Sequence, residues 1–387
     1  MMMQITVVGG GLGGLVAAVC AAESGARVTL FEAHASPGGR ARSTPAPYIA
    51  NDGPHVFYSD GPHWRWLSER GLVPAAGVGL AEARGLRFRR DGALRRLPSA
   101  GVLAASARRG VRAPAALSFT EWATGRFGAR TARQIASMMG VATFDADPGR
   151  LSAAFVWERF LRVTRPGYPA ARYVRGGWQT VVDRLTALAR QLGVEIHTGV
   201  RVGELPPPPV IVATSLAAAR GLLGDPTLAT ASGRTVLLDL GLRRRRGDAF
   251  LVFDQDQAGF LERYSSPDPS LAPAGESLAQ AQLPLRPGES KAQGLTRLAP
   301  LLELALPGWQ ERTTWRRASV ADGRSGALDL PGHTWRDRPA VDRGDRVYLV
   351  GDQVAAPGLL SEVTLASARR AAALAVGVAA QRRTMQR

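Results

Sequence analysis

The alternation of hydrophobic and polar residues at the start of the chain predicts a βαβ unit. QITVVG, residues 4–9, is a short apolar run with β-branched residues, typical of a buried parallel strand. The alanine-rich GGLVAAVCAAESGA that follows predicts a helix ending near Gly25. RVTLFE then predicts a second buried strand, which ends at Glu32. About 30 residues is the length that a parallel crossover of this kind needs.

Later segments predict further elements of both types. Asp91-Gly92 lies between two short runs and favours an antiparallel hairpin, whereas residues 99–160 have helical apolar spacing. GGWQTVVDRLTALARQLG predicts an amphipathic helix, and the strand candidate VEIHTGVRV follows it. Buried strands are also predicted for VIVATS and RVYLVGD, a long final helix for SEVTLASARRAAALAVGVAAQ, and a loop for the segment that contains Lys291.

Buried parallel strands at the beginning, middle and end of the sequence indicate one α/β domain assembled from separate segments. The expected fold class is α/β, with a discontinuous Rossmann-like cofactor-binding domain and an inserted mixed α+β substrate domain. The predicted cofactor domain comprises residues 1–75, 170–228 and 335–387, and the substrate domain comprises residues 76–169 and 229–334. A cleft between domains is a common place for a ligand.

Composition argues against several classes of function. The net charge of +17 comes almost entirely from arginine, since Lys291 is the only lysine, and no nucleic-acid-binding motif accompanies it. We therefore expect no nucleic-acid partner. One cysteine, Cys20, and five histidines without ligand spacing indicate no metal site. The apolar run at residues 7–20 is too short to span a bilayer and lacks a basic leader, so a cytoplasmic location is expected, with peripheral membrane contact left open.

The glycine-rich turn after the first strand has the spacing of a dinucleotide-binding loop. Gly9 allows the tight turn, Gly11 allows a pyrophosphate to approach the backbone, and Gly14 lets helix and strand pack closely. Leu12 and Gly13 lie in the same loop, at the positive end of the helix dipole. An acidic residue, Glu32, follows 23 residues after Gly9; its carboxylate would accept hydrogen bonds from ribose and disfavour a 2′-phosphate.

A second cluster follows the acidic residue and is not needed to hold NAD. Gly38-Gly39 permits close backbone approach, Arg40 adds a fixed cation, and Asn51-Asp52-Gly53-Pro54-His55 forms another exposed turn. Near the end of the chain, VYLVGDQVAAPGLLSEVTLASARRAA pairs a strand ending in Gly351-Asp352 with a helix. This succession resembles the flavin-containing amine oxidase and phytoene desaturase superfamily.

The resemblance implies a non-covalently bound FAD. Asp352 would hold the ribityl chain, the helix start would face the flavin O2 edge, and the segment around Val202 would contact the adenine. The cofactor contacts implied by the loop and by the resemblance are Gly9, Gly11, Leu12, Gly13, Gly14, Glu32, Ala33, Gly38, Gly39, Arg40, Gly53, Pro54, His55, Val202, Thr214, Gly351, Asp352, Leu360 and Ser361. Two departures from the family pattern are the tract Pro206–Pro209 and Leu360-Ser361 in place of a glycine-rich helix start.

The chemistry implied by the resemblance is hydride transfer to or from flavin N5. In amine oxidases of the family a lysine lies beside flavin N5, but the corresponding segment RTVLLDLGL has no lysine, which lowers the case for an amine or amino-acid oxidase. The GPHVF turn, the hairpin ending at Leu97-Pro98 and PGWQERTTWRR resemble the desaturase branch, which implies a desaturase or isomerase acting on an apolar polyene or isoprenoid substrate. A non-catalytic binding protein on the same fold is the third alternative. Candidate catalytic residues are His55, Tyr173 and Arg175. The electron acceptor is unknown, and the basic segment SAGVLAASARRGVRAPAAL is either a lipid-collecting surface or an ordinary packed helix.

Overall fold

The computed structural model describes residues 3–52, 56–167 and 169–377. In chain order, its strands are β1 (Gln4–Val8), β2 (Arg27–Glu32), β3 (Val56–Tyr58), β4 (Ala75–Ala76), β5 (Leu86–Arg90), β6 (Ala93–Arg95), β7 (Ala171–Val174), β8 (Glu195–Thr198), β9 (Val210–Val212), β10 (Arg234–Arg243), β11 (Leu251–Asp254), β12 (Phe260–Glu262), β13 (Glu276–Pro284), β14 (Thr313–Asp322) and β15 (Val347–Leu349).

Its α-helices are α1 (Leu12–Glu23), α2 (Trp64–Glu69), α3 (Leu80–Arg84), α4 (Ala100–Ser106), α5 (Phe119–Phe127), α6 (Ala129–Met138), α7 (Gly140–Thr143), α8 (Ala153–Val163), α9 (Gln179–Gln191), α10 (Leu216–Leu223), α11 (Lys291–Ala305), α12 (Trp309–Arg312) and α13 (Ser361–Ala375). None of these described helices combines the length and apolar composition that crossing a bilayer requires.

A parallel sheet collects strands from the whole length of the chain, as the apolar runs predict. Its order is β15-β9-β1-β2-β8, and each neighbouring pair is parallel. Helix α1 packs between this sheet and its neighbours α9 and α13, and its apolar side chains are almost completely buried. The predicted discontinuous Rossmann-like fold is therefore confirmed. The boundaries assigned to the two domains remain a prediction.

A larger, mixed sheet has the order β14-β10-β13-β12-β11-β5-β6, and only its β11–β5 pair is parallel. The hairpin β5–β6 turns at Asp91 (φ 52°) and Gly92 (φ 72°), which is the positive-φ geometry that the Asp-Gly pair predicts. Helices α4 to α8 fill the helical region expected between residues 99 and 160. A small antiparallel sheet, β3-β7-β4, completes the strands described.

The two faces of the large sheet differ in chemistry. One face packs Leu238, Leu240 and Ala281 against Leu298 and Leu301 of α11 and forms a separate apolar core. Because side chains alternate along a strand, the intervening residues of β10 and β13 face the other way. That second face carries the polar residues described below.

The expectation that Lys291 lies in a loop is wrong. Lys291 is the first residue of α11, and its Nζ donates to the carbonyl of Ala318 at 2.6 Å. The helix starts there because Ser290 and Gln293 form a capping box, each side chain satisfying a backbone N–H at the helix end.

Candidate functional site

The glycine loop after β1 has the geometry of a phosphate-binding turn. Gly9 has φ 105°, a conformation that favours glycine. A Cβ on Gly14 would lie 1.8 Å from the Gly9 carbonyl oxygen, so helix and strand can approach only because residue 14 is glycine. A Cβ on Gly11, in contrast, would meet no atom within 4 Å. The open side of Gly11 is thus where a ligand can lie against the backbone, beside the α1 N-terminus that Leu12 and Gly13 begin.

Glu32 is buried at the end of β2, directly beside this loop. Its Oε2 accepts a hydrogen bond from the Gly10 backbone N–H at 2.7 Å. Its Oε1 accepts from the His34 N–H at 2.8 Å and lies 2.7 Å from the His34 Nδ1. Burial alone would raise the pKa of Glu32, but the hydrogen bonds from His34 and Gly10 lower it below its usual value. The carboxylate is therefore held ionised at the end of β2, beside the glycine loop.

The second glycine cluster docks directly onto the first. The Gly38 N–H donates to the Gly10 carbonyl at 2.8 Å, and Gly11 and Gly38 form an isolated parallel bridge. Gly38 (φ 132°) and Gly39 (φ 54°) both have positive φ, and a Cβ on Gly39 would lie 3.3 Å from the Gly11 Cα. The two motifs therefore form one continuous backbone surface.

Arg40 and Asp352, from opposite ends of the chain, form a bidentate ion pair. Nη1 donates to Oδ2 at 2.6 Å and Nη2 donates to Oδ1 at 2.8 Å; Nη1 also donates to the Arg324 carbonyl at 2.6 Å. Three of the five guanidinium N–H groups are used in this way. Gly351 is fixed behind the pair by Ser367, whose Oγ accepts from the Gly351 N–H and donates to its carbonyl.

The remaining described residues that were predicted to contact the cofactor lie near Glu32, near Gly9 and at the start of α13. Ala33 directly follows Glu32 in the sequence. The Val200 N–H donates to the Glu32 carbonyl at 2.9 Å, and this contact brings the segment that contains the half-buried Val202 close to Glu32. The backbone of Thr214 adjoins Gly9. Leu360, with φ 53°, precedes the first helical residue of α13, the buried Ser361.

Gly53, Pro54 and His55 lie outside the described residues, so these candidates remain predictions. Of the other catalytic candidates, Tyr173 is buried on β7 and makes the contacts described below. Arg175 is exposed, and its backbone N–H donates to the Pro74 carbonyl. The structure joins Tyr173, but not the Arg175 side chain, to a described polar network.

A polar row crosses the second face of the large sheet; it consists of Arg317, Asp239, Gln280 and Glu262. Asp239 is paired in register with Arg317 on one side and with Gln280 on the other, and Gln280 is paired with Glu262. Directly paired residues of antiparallel strands share a face, so the four side chains form one line. Arg317 Nε donates to Asp239 at 2.7 Å, and Gln280 donates to the other oxygen of Asp239.

One end of the polar row reaches the turn at Asn51 and Asp52. Arg317 Nη2 donates to the Asn51 carbonyl at 3.0 Å, and Nη1 pairs with the Asp52 carboxylate. Asn51 is itself held by Ser43 and by the Trp178 N–H, both of which bond to its side-chain oxygen. Hydrogen bonds therefore connect this turn both to Trp178, at the start of α9, and to β14 of the large sheet.

The other end of the row is a buried carboxyl group surrounded by tyrosines. The Tyr173 hydroxyl donates to Glu262 Oε1, and Tyr264 also bonds to this carboxyl group. Burial raises the pKa of Glu262 to about 7, although both tyrosine hydrogen bonds oppose the rise. No cation among the described residues forms an ion pair with Glu262.

A second ionic cluster connects α8 to the start of α13. Arg162 pairs with Glu362 at 2.9 Å and with Asp60 at 2.8 Å, and its guanidinium lies 4.7 Å from the Tyr58 ring centroid. Glu362 also accepts from the Leu359 N–H at 3.0 Å. A cleft of about 430 Å³ opens here; its lining includes Arg109, Arg162, Leu359 and Glu362. Within the described ranges, no group of three or more His, Cys, Asp or Glu side chains is arranged to hold a metal ion.

Sequence reasoning missed Glu262, Asp239, Gln280 and Arg317. One signal was available, because SLAQAQLP alternates glutamine with small apolar residues and predicts a strand with one polar face. The register that lines these residues up comes from pairing among four distant segments, which the sequence does not reveal.

The chain resembles known proteins in part of its sequence and in nearly all of its fold. Residues 7–70 match the model of the NAD(P)-binding Rossmann-like domain family. A stretch of 55 residues is 51% identical to hydroxyneurosporene desaturase from Rhodobacter capsulatus, and this match spans 14% of the chain and 11% of that protein.

Two solved structures illustrate the similarity of fold. An oxidoreductase from Methanosarcina mazei has a TM-score of 0.74 and 17% identity, covering 95% of this chain and 99% of its own. Cyclohexylamine oxidase from Brevibacterium oxydans has a TM-score of 0.72 and 14% identity, covering 98% of this chain and 100% of its own. The chain therefore shares the fold of these two proteins over nearly its whole length, which agrees with the fold that its motifs predict.

Proposed function

We propose that the protein is an FAD-dependent oxidoreductase of desaturase type, acting on an apolar polyene or isoprenoid substrate. The observation that carries the proposal is the convergence of motifs more than 300 residues apart, since Arg40 and Asp352 form a bidentate pair beside the glycine loop. The short match to hydroxyneurosporene desaturase supports a desaturase. The missing lysine on β10 disfavours the amine-oxidase alternative.

The residues present fit the chemistry of FAD. The open side of Gly11 leaves room for a diphosphate against the backbone, and the N–H groups at the start of α1 supply donors for its oxygens. Glu32 is an ionised acceptor for adenosine ribose hydroxyls. Asp352 retains acceptor capacity for ribityl hydroxyls after pairing with Arg40, and the positive end of α13 would stabilise negative charge on a bound flavin.

Bound FAD would supply the two-electron acceptor for hydride removal from the substrate. The protein's own contribution is to hold and shield this reaction. Arg317 fastens the Asn51-Asp52 turn at the side of the large sheet, and Arg162 with Glu362 fixes the start of α13. The cleft between α8 and α13 gives a path from the surface toward that helix end.

Two measurements test the cofactor and the substrate class in turn. The purified protein should be yellow and should release FAD on heat denaturation; a colourless protein that takes up no added FAD would refute the proposal. Neurosporene or hydroxyneurosporene in detergent should then bleach the flavin anaerobically. Bleaching by cyclohexylamine or putrescine, with no response to the polyenes, would establish the amine-oxidase alternative instead.

We also propose that the substrate is collected at a membrane surface by the segment around α4. This segment exposes Leu103 on the helix and Leu117 beyond it, with the exposed arginines Arg108, Arg109 and Arg112 between them. Exposed leucines among arginines are the composition of an interfacial contact. Sedimentation with vesicles containing phosphatidylglycerol should retain the protein, and Leu103→Glu should release it. Equal sedimentation of both forms would rule out this contact.

A further inference from the structure

Glu262 is a buried carboxyl group whose burial and choice of partners are not needed for the packing of the large sheet. It is 4% exposed, it lies at the end of the polar row, and both of its described partners are tyrosine hydroxyls. A buried carboxyl group without a cation is costly to keep ionised, so such groups are rare where a structure needs only stability. The same face of the sheet is fastened through Arg317 to the turn that precedes β3.

The tyrosine that contacts Glu262 belongs to a different part of the fold. Tyr173 is on β7, which pairs with β3, the strand that begins at Val56, four positions after Asp52. Val56 and Tyr173 are partners in that pairing, so Tyr173 lies beside the strand that follows the predicted cofactor contacts Gly53, Pro54 and His55. Glu262 therefore accepts a hydrogen bond from a buried tyrosine of the strand that pairs with β3.

We propose that the Tyr173 hydroxyl and the Glu262 carboxyl form the proton acceptor of the oxidation, with Tyr173 facing the substrate and Glu262 positioned behind it. This inference rests on the proposed function. It assigns Tyr173 a catalytic role and Glu262 a positioning role, in which the carboxylate receives the proton that the tyrosine passes on.

The proton and electron balance of the step is complete. Bound FAD would accept the hydride that leaves a saturated carbon, and the neighbouring C–H bond would then break, leaving its electron pair as the new C=C bond. The proton from that carbon goes to the Tyr173 oxygen while the tyrosine's own proton moves to Glu262 Oε1 along the existing hydrogen bond. A carboxyl group with a pKa near 7 can be ionised before the step and protonated after it.

Several titratable groups around the pair influence its protonation. Tyr264, which follows β12, bonds to Glu262; Tyr58 of β3 and Asp239 of β10 act on this cluster by charge. Glu82 of α3 raises the pKa of Tyr173 further, in addition to the main effect of burial and that of Glu262. Two cations act on these neighbours, Arg162 on Tyr58 and Arg317 on Asp239, but neither forms an ion pair with Glu262 among the described residues.

Infrared titration of the FAD-loaded protein tests the proton site without any substrate. Between roughly pH 5 and 9, a protonated carboxyl C=O band should disappear with a midpoint near 7, and Glu262→Gln should lack this transition. Tyr173→Phe should move the midpoint upward, because the carboxylate loses a hydrogen bond that stabilises it. Tyr348→Phe, a buried tyrosine on β15, should leave the transition unchanged.

The role in catalysis is tested by the pH profile of flavin reduction. With neurosporene or hydroxyneurosporene, the wild-type rate should rise with pH through the infrared midpoint, and Glu262→Gln should be at least 10-fold slower and flat over this range, with Glu262→Asp partly restoring the profile. An unchanged profile in Glu262→Gln, or an infrared spectrum showing Glu262 ionised throughout, would overturn the inference. Loss of FAD from the wild-type protein would instead overturn the proposed function.

Discussion

Arg40 and Asp352 are 312 positions apart in the sequence, yet their side chains meet in a two-fold hydrogen-bonded ion pair. Each belongs to a motif that, taken alone, is compatible with several dinucleotides. Their contact joins the Gly38-Gly39 turn to the end of β15, and it does so directly beside the loop at Gly11. Arginine pairs with a carboxylate in this planar, bidentate geometry, whereas lysine cannot. The ion pair therefore fixes the distance between the Gly38-Gly39 turn and the Gly351-Asp352 motif.

Breaking this pair should release FAD. A charge-assisted hydrogen-bonded pair contributes about 1.5–3 kcal/mol, so Arg40→Ala and Asp352→Asn should each weaken FAD binding by about 10- to 100-fold. Since both changes remove the same contact, the double variant should be little weaker than either single one. Equilibrium dialysis of flavin from the apoprotein measures this.

A matched control for that experiment lies at the other end of the same strand. Arg343 pairs with Asp225 at 2.5 Å before β15 begins. Arg343→Ala therefore removes an Arg–Asp pair without touching the glycine loop, and it should retain FAD as the wild type does. Equal losses in Arg343→Ala and Arg40→Ala would show that the Arg40 pair serves only general stability.

Two alanine substitutions in the glycine loop should separate folding from cofactor binding. Gly14→Ala places a Cβ 1.8 Å from the Gly9 carbonyl oxygen and should destabilise the apoprotein strongly. Gly11→Ala has no neighbour within 4 Å and an ordinary φ of −71°, so the apoprotein stability should change by less than about 0.5 kcal/mol.

Gly11→Ala should nevertheless lose the cofactor, because its new methyl group fills the side of the backbone on which the diphosphate would lie. Thermal unfolding without flavin, followed by FAD titration, distinguishes the two effects. Tight FAD binding by Gly11→Ala would place the diphosphate elsewhere and would contradict the proposed site.

The parts of this fold that could be predicted from sequence are those encoded locally. The runs around Val7, Leu30, Ile211 and Leu349 are apolar and short, and each forms a strand of the parallel sheet. The start of α11 was also encoded locally, in the Ser290–Gln293 capping box, and the loop expected there was an error of interpretation rather than a missing signal.

The polar row had no local signal of its position. Asp239, Gln280 and Arg317 become neighbours only through the register of β10 with β13 and β14, and a shift of one residue would turn each side chain to the opposite face. Register of this kind depends on the packing of the whole sheet against α11. The candidate cofactor site was therefore predictable as a set of motifs, whereas the residues on the large sheet were not.

The cluster at Arg162 should respond differently to the loss of each partner. Arg162→Gln leaves Glu362 and Asp60 close together, with Asp60 still paired to Arg165, and should lower the free energy of unfolding by about 1–3 kcal/mol. Glu362→Gln should cost less, because its amide oxygen can still accept from the Leu359 N–H and Arg162 keeps Asp60. Urea unfolding of both variants checks the order; equal losses would contradict it.

Glu32 should make the stability of the apoprotein depend on acid pH. Its folded pKa is below the unfolded value of about 4.3, so its contribution is complete above that pH and is lost as the pH falls through the lower folded pKa. Glu32→Gln cannot accept from both the Gly10 and His34 N–H groups without turning its own amide toward one of them. Urea unfolding should therefore show a stability deficit for Glu32→Gln near neutral pH that narrows below about pH 4. Glu204→Gln, which changes an exposed carboxylate outside this network, serves as the control. A deficit for Glu32→Gln that persists unchanged into acid would show that the lost stability does not come from the ionised carboxylate.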